Sequence, residues 1–189
     1  MILDHLKTQT TALHKETEQD NLARFILDHS ITTTQYAALL KQNWYAYARV
    51  EQVLNYNASA IPDYLKPFAD GAKSKALEND LAQLNYKHQS NHTSEVQEMT
   101  PAELLGMLYV TEGSMLGGLL IRKNLESCSE LDADFEHHFF GKSAPEVMQR
   151  WQAFKEAVSE KDFSSEEYDE AIAGANYAFR IFKESYSLV

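Results

Sequence analysis

His14 stands one helical turn before Glu18 and seven residues after Lys7. On a helix these three lie close to one line. An imidazole whose second ring nitrogen is held by a carboxylate makes a well-oriented metal ligand. Lys7 points almost the same way, about 10 Å along the axis at ~1.5 Å rise per residue. A second set is the run Tyr109-Val110-Thr111-Glu112-Gly113-Ser114-Met115-Leu116-Gly117-Gly118. Glycine in a helix interior costs about 0.5–1 kcal/mol relative to alanine. Gly113 and Gly117 are four apart, so they share one face. A face stripped of side chains lets something flat approach, either another helix or a planar cofactor. Ser114 adds a hydroxyl that donates and accepts but at neutral pH is no general acid by itself. Read alone, such a histidine is usually a core or boundary residue, and Lys7 and Glu18 an ordinary solvated edge.

The elements that must carry these residues are helical. Leu3, Leu6, Thr10, Leu13 and Thr17 recur at helical spacing and mark a buried stripe beside His14. Thr32 with Gln35, Thr100 with Glu103, Ser143 with Glu146 and Ser164 with Glu167 fit the capping-box spacing. Pro101 and Pro145 fall in first turns, where a missing N–H does little harm. The patterns predict helices near 3–19, 21–29, 33–57, 62–84, 100–126, 145–158 and 164–187, with 127–142 the longest irregular connection. Strand-like alternation is nearly absent. The expected architecture is an all-α bundle forming one domain over 1–189.

Composition narrows the classes. The chain has 189 residues, a net charge of −11 and 44% apolar residues. That length suffices for a well-buried core, and the charge argues against a general nucleic-acid or anionic-membrane binder. Cys128 is the only cysteine, so an intramolecular disulfide and a thiolate cluster are both excluded. The run Leu104 to Ile121 contains Glu112, Ser114 and four glycines, which reads as a buried helix rather than a membrane span. The first residues show no cationic region followed by an apolar core, and a cytoplasmic protein is the expectation.

Other constellations carry less. His137 and His138 are adjacent, so on a helix they would diverge by about 100°, and no third ligand pairs with them. His88 and His92 have i,i+4 spacing in a polar stretch without the acid of a protease helix; a loop is expected. Cys128 has no adjacent base to make it a nucleophile.

Taken together and in order, the segments resemble one family. Leu6-Lys7-x-x-Thr10-x-x-Leu13-His14-x-x-x-Glu18 resembles the proximal helix of heme oxygenases, and Tyr109 to Gly118 their distal helix, closest to the bacterial biliverdin-forming branch. Thr34-x-Tyr36 with the Tyr47/Glu51 region, Lys75-Ala76-Leu77-x-x-Asp80-Leu81-x-x-Leu84, Trp151-Gln152-x-Phe154 and Ala178-Phe179 are similar to the blocks that accompany them.

The resemblance implies heme held between the first helix and a glycine-kinked distal helix. His14 would be the iron ligand, Glu18 its partner, and Lys7 the contact of a propionate. Gly113, Gly117 and Gly118 would bring the distal backbone close, with Gly113, Ser114 and Gly117 at the catalytic face. Met115, Leu116 and Phe179 would wall the slot, and Arg150 and Lys155 would add propionate contacts. The implied activity is oxidative cleavage of heme to biliverdin, carbon monoxide and free iron, using O2 and an external reductant such as a ferredoxin or a flavin reductase. Animal-type members carry an acidic residue where Ser114 stands, so Ser114 is expected to position water. A non-catalytic heme-binding or heme-delivery protein would need the same slot. A two-iron site would call for paired Glu-x-x-His motifs, and a thiaminase-like site for a placed cysteine; neither pattern is convincing here.

Overall fold

In the computed structural model, residues 1–19, 21–86 and 96–188 are described. His88 and His92 lie outside them. The described residues form seven α-helices and no strand: α1 (Ile2–Gln19), α2 (Arg24–Leu27), α3 (Thr33–Tyr56), α4 (Ala72–Gln83), α5 (Pro101–Leu125), α6 (Ala144–Ser159) and α7 (Ser165–Tyr186). All four capping boxes read from the sequence form, at Thr32, Thr100, Ser143 and Ser164.

Two expectations need correction. The helix expected over 62–84 divides into a short 3-10 turn, Lys66–Phe68, and α4. Gly71 between them takes φ +65°, a left-handed conformation that interrupts a helix. With no capping side chain of its own at Gly71, α4 begins on borrowed acceptors. Asp70 accepts from the Ala72 N–H at 3.2 Å, and Glu51 of α3 accepts from the Ser74 N–H at 3.1 Å. The helix expected over 21–29 shrinks to α2, and His29 follows it at φ 58°.

α7 is the centre of the bundle, with α5, α3 and α1 packed around it. α1 runs parallel to it: His5 meets Tyr168, His14 meets Phe179 and Glu16 pairs with Lys183. α5 crosses it closely. A Cβ on Gly106 would sit 1.9 Å from the Ala171 carbonyl oxygen, and one on Gly174 1.9 Å from that of Glu103. These two glycines let the backbones of α5 and α7 touch. α1 and α5, by contrast, barely meet. The helix Pro101–Leu125 is long and apolar enough to cross a membrane by length and composition, but half of its most apolar stretch is buried inside the protein.

Candidate heme-binding site

On α1, Leu6, Thr10 and Thr17 are buried. Both threonine hydroxyls donate at 2.8 Å to carbonyls one turn back, so these polar residues lie on the apolar stripe at little cost. His14 sits beside the stripe with its side chain 55% exposed. One ring nitrogen, Nε2, lies 3.4 Å from a Glu18 carboxylate oxygen; the other has no hydrogen-bond partner among the described residues. The imidazole centre is 5.6 Å from that of Phe179 on α7. Lys7 is exposed on the same helix.

α5 brings its glycines to three different surroundings. A Cβ on Gly113 would touch the Trp151 ring of α6 at 3.9 Å, and one on Gly118 the Phe140 ring at 3.8 Å, both ordinary contacts. At Gly117 it would meet nothing within 4 Å. The two partners imagined for a side-chain-poor helix face are therefore separated along α5: Gly106 serves the neighbouring helix, and Gly117 opens onto free space.

Ser114 is held by α3. Its hydroxyl donates to the Thr111 carbonyl at 2.9 Å and lies 2.6 Å from the Tyr47 hydroxyl of α3. Since Ser114 has one proton to give, Tyr47 donates in this pair. Burial pushes the Tyr47 phenol far above its ordinary range, and the Ser114 bond offsets only part of that. Tyr47 thus keeps its proton throughout the physiological range. Its ring lies 5.1 Å from Phe182, one turn along α7 from Phe179. α7 therefore backs the His14 ring of α1 and the Tyr47 ring of α3 at adjacent levels.

Other expected site residues lie elsewhere. Met115 is buried with its sulfur 4.0 Å from the Tyr47 hydroxyl. Leu116 is half-buried and packed on the core. Arg150 is engaged by carboxylates. Its Nε and Nη2 donate to Glu112 at 2.7 and 3.0 Å, and its Nη1 to Asp70 at 2.8 Å. Lys73 completes the cluster, 2.6 Å from the same Glu112. The Glu112 and Lys73 side chains are 1% and 6% exposed, and breaking a buried pair of this kind costs about 3–5 kcal/mol. A guanidinium so placed is not free for a propionate, which corrects the expectation for Arg150.

Lys155 lines a cavity of about 600 Å³ with Leu3, Asp4, Gln152 and Phe163. That cavity lies at the N-terminal end of α1, about 15 Å from His14 at ~1.5 Å per residue. Lys7 stands one turn on from Asp4, between the cavity and His14.

The irregular segment before α6 is tied down by Asp80. This fully buried carboxylate accepts from the His138 and Phe139 N–H groups at 2.6 and 3.0 Å. Burial nevertheless raises its pKa, outweighing those two bonds. His137 Nδ1 lies 2.6 Å from the Tyr36 hydroxyl, and burial lowers its pKa. Burial also raises the Cys128 thiol, which disfavours the thiolate.

A family model described as heme oxygenase matches residues 1–187. This chain belongs to the heme oxygenase family. The curated heme oxygenase PigA of Pseudomonas aeruginosa is 28% identical over 128 residues, 67% of this chain and 64% of that protein. The match thus spans a little under two thirds of the relative's length. Solved heme oxygenases share the fold. One from Neisseria meningitidis, studied in NO- and CO-bound forms, has a TM-score of 0.71 at 24% identity and covers 100% of this chain and 94% of its own. One from Leptospira interrogans reaches 0.75 at 18%, over 100% and 99% of the two chains. Heme oxygenase-1 from the cyanobacterium Synechocystis, in complex with heme, reaches 0.70 at 15%, over 99% and 91%.

Two features of this family member escape sequence reading. Nothing in the spacing marks Tyr47 as the donor to Ser114, since it lies within the apolar pattern of a long buried helix. Lys73 and Glu112 pair across 39 positions, and only the packing of α4 on the bundle reveals it.

Proposed function

We propose that this chain binds heme in the space between α1 and α5 and cleaves it oxidatively to biliverdin, carbon monoxide and free iron. The observation that carries this reading is the open face at Gly117. It faces nothing within 4 Å, on a helix that barely meets α1 although both pack on α7. A flat apolar plate with carboxylates at one edge needs such a slot, an axial nitrogen and cations near the mouth. His14 offers the nitrogen. Glu18 fixes the imidazole's orientation, Phe179 supports its ring, and Lys7 stands toward one end for a carboxylate; Lys155, farther off on the N-terminal cavity, does not reach it.

Heme supplies the redox-active iron and the ring that is itself the substrate; the protein supplies position and protons. Ser114 keeps an acceptor lone pair after donating to the Thr111 carbonyl, which suits it to hold water on the Gly117 side. Tyr47 holds that hydroxyl in one orientation and, being neutral, adds no charge. A backbone face without a strong acid excludes competing protonation better than a carboxylate there would. The reading includes O2 and an external electron donor, a ferredoxin or a flavin reductase, as partners, one functional unit over 1–189, and a cytoplasmic setting.

The test is reductive turnover of the hemin complex in air. Loss of the Soret band with a biliverdin product on chromatography supports cleavage. A ferric or ferrous complex that survives reductant and O2 unchanged favours a heme-binding protein without ring opening, and no complex at all removes both.

A further inference from the structure

We infer that Glu112 is a positioning residue that sets the rotation of α5 about its own axis, and with it the direction in which Ser114 and Gly117 face. This rests on the proposed heme reading for its consequence, but not for the contacts themselves. Three consecutive residues of α5 are gripped from three directions. Glu112 is held by Lys73 of α4 and Arg150 of α6. Gly113 lies against the Trp151 ring of α6. Ser114 is bonded to Tyr47 of α3.

Arg150 and Trp151 are neighbours on α6, and they hold neighbours on α5. Adjacent helical residues point about 100° apart. A contact at 112 and another at 113 therefore define both the height of α5 against α6 and its rotation. Gly106 seats the start of α5 on α7, but the residues that follow, Met107, Leu108 and Val110, are buried apolar side chains. Such packing adds little rotational preference by the level of Ser114 and Gly117, about two to three turns farther on. A buried carboxylate with two cationic partners has one favoured rotation, since any other leaves charges unpaired in a low dielectric. Arg150 is itself fixed by its second arm to Asp70, next to the left-handed Gly71. The lock is thus anchored to α4 and its entry loop as well as to α6.

The test is Glu112→Gln, read first without heme. Amide hydrogen exchange across 110–118 in the full chain is expected to speed up at least tenfold, while α1 exchanges as before. In the hemin complex, the same variant is expected to bind with unchanged stoichiometry through His14. The pH midpoint of the ferric spectrum and the ratio of biliverdin isomers should shift. Those two readouts would not move if Glu112 merely added stability.

If the single variant does not fold, Lys73→Met with Glu112→Gln removes one charge of each sign and leaves Arg150 with Asp70; the same local acceleration is expected. Wild-type exchange over 110–118 in a folded variant overturns the inference. So does faster exchange with an unaltered spectrum and isomer ratio. Failure of the wild-type chain to take up hemin would sink the heme reading and, with it, the consequence for heme chemistry; the exchange measurement would still show whether Glu112 holds residues 110–118 in place, and wild-type exchange there would overturn the inference by itself.

Discussion

The Tyr47 hydroxyl lies 2.6 Å from that of Ser114, joining α3 to the glycine segment of α5. Replacing Tyr47 by phenylalanine removes the donor and leaves Ser114 bonded to the Thr111 carbonyl. A single buried hydrogen bond contributes about 0.5–1.5 kcal/mol net, so the Tyr47→Phe protein should fold with a slightly lower melting temperature. Turnover should fall by about tenfold, equivalent to ~1.4 kcal/mol on the barrier, while hemin binding stays intact. Stopped-flow decay of the Soret band measures this. Turnover equal to wild type would mean that Tyr47 serves packing alone.

Gly106 and Gly117 should respond oppositely to substitution. Ala at 106 places its Cβ 1.9 Å from a backbone oxygen of α7, and overpacking of this kind costs about 1–3 kcal/mol, occasionally more. Gly106→Ala should unfold at clearly lower urea. Leu at 117 meets open space and removes a helix-interior glycine that costs about 0.5–1 kcal/mol. Gly117→Leu should be as stable as wild type or more so, yet bind hemin at least tenfold more weakly. Urea midpoints and hemin titrations of the two proteins give the comparison. Full hemin affinity in Gly117→Leu would show that this face is not part of the slot.

Acidification should loosen the segment that leads into α6. Burial holds the folded-state pKa of His137 below 6.5, so the unfolded chain binds that proton more readily. Its contribution to stability is whole above pH 6.5 and is lost as pH falls toward and through the lower folded value. The protein should therefore lose more stability between pH 7.5 and pH 5 than a His137→Gln variant does. Urea midpoints at the two pH values measure it. An identical loss in both proteins would show that His137 does not titrate differently on folding.

Several parts of this molecule are readable from the chain alone, for reasons that are local. A capping box is a four-residue event, and all four form at Thr32, Thr100, Ser143 and Ser164. The α1 stripe is periodic: Leu6, Thr10 and Thr17 are buried as that period predicts, and Leu3 and Leu13 are partly buried against the core. Gly71 is different. It reads as a tolerable glycine in a helical pattern, and only its left-handed backbone, with Glu51 arriving from α3, shows that α4 starts there. Among site residues, His14, Glu18 and Lys7 lie on one helix, so spacing alone relates them. Arg150 was misread because its neighbours Trp151 and Phe154 suggest a face, while its partners Glu112 and Asp70 come from 38 and 80 positions away. Met115 lies on a helix buried on many sides, where no period tells which side a residue faces; its burial beside Tyr47 comes from packing.

Optical titration of the purified protein with hemin, beside the His14→Ala variant, puts the central proposition to its most direct test. We expect one hemin per chain with a histidine-ligated Soret spectrum in the wild type. The variant should keep its helical content and lose that spectrum. A wild-type protein that shows no saturable complex, or a His14→Ala protein with an unchanged spectrum, would contradict the site described above.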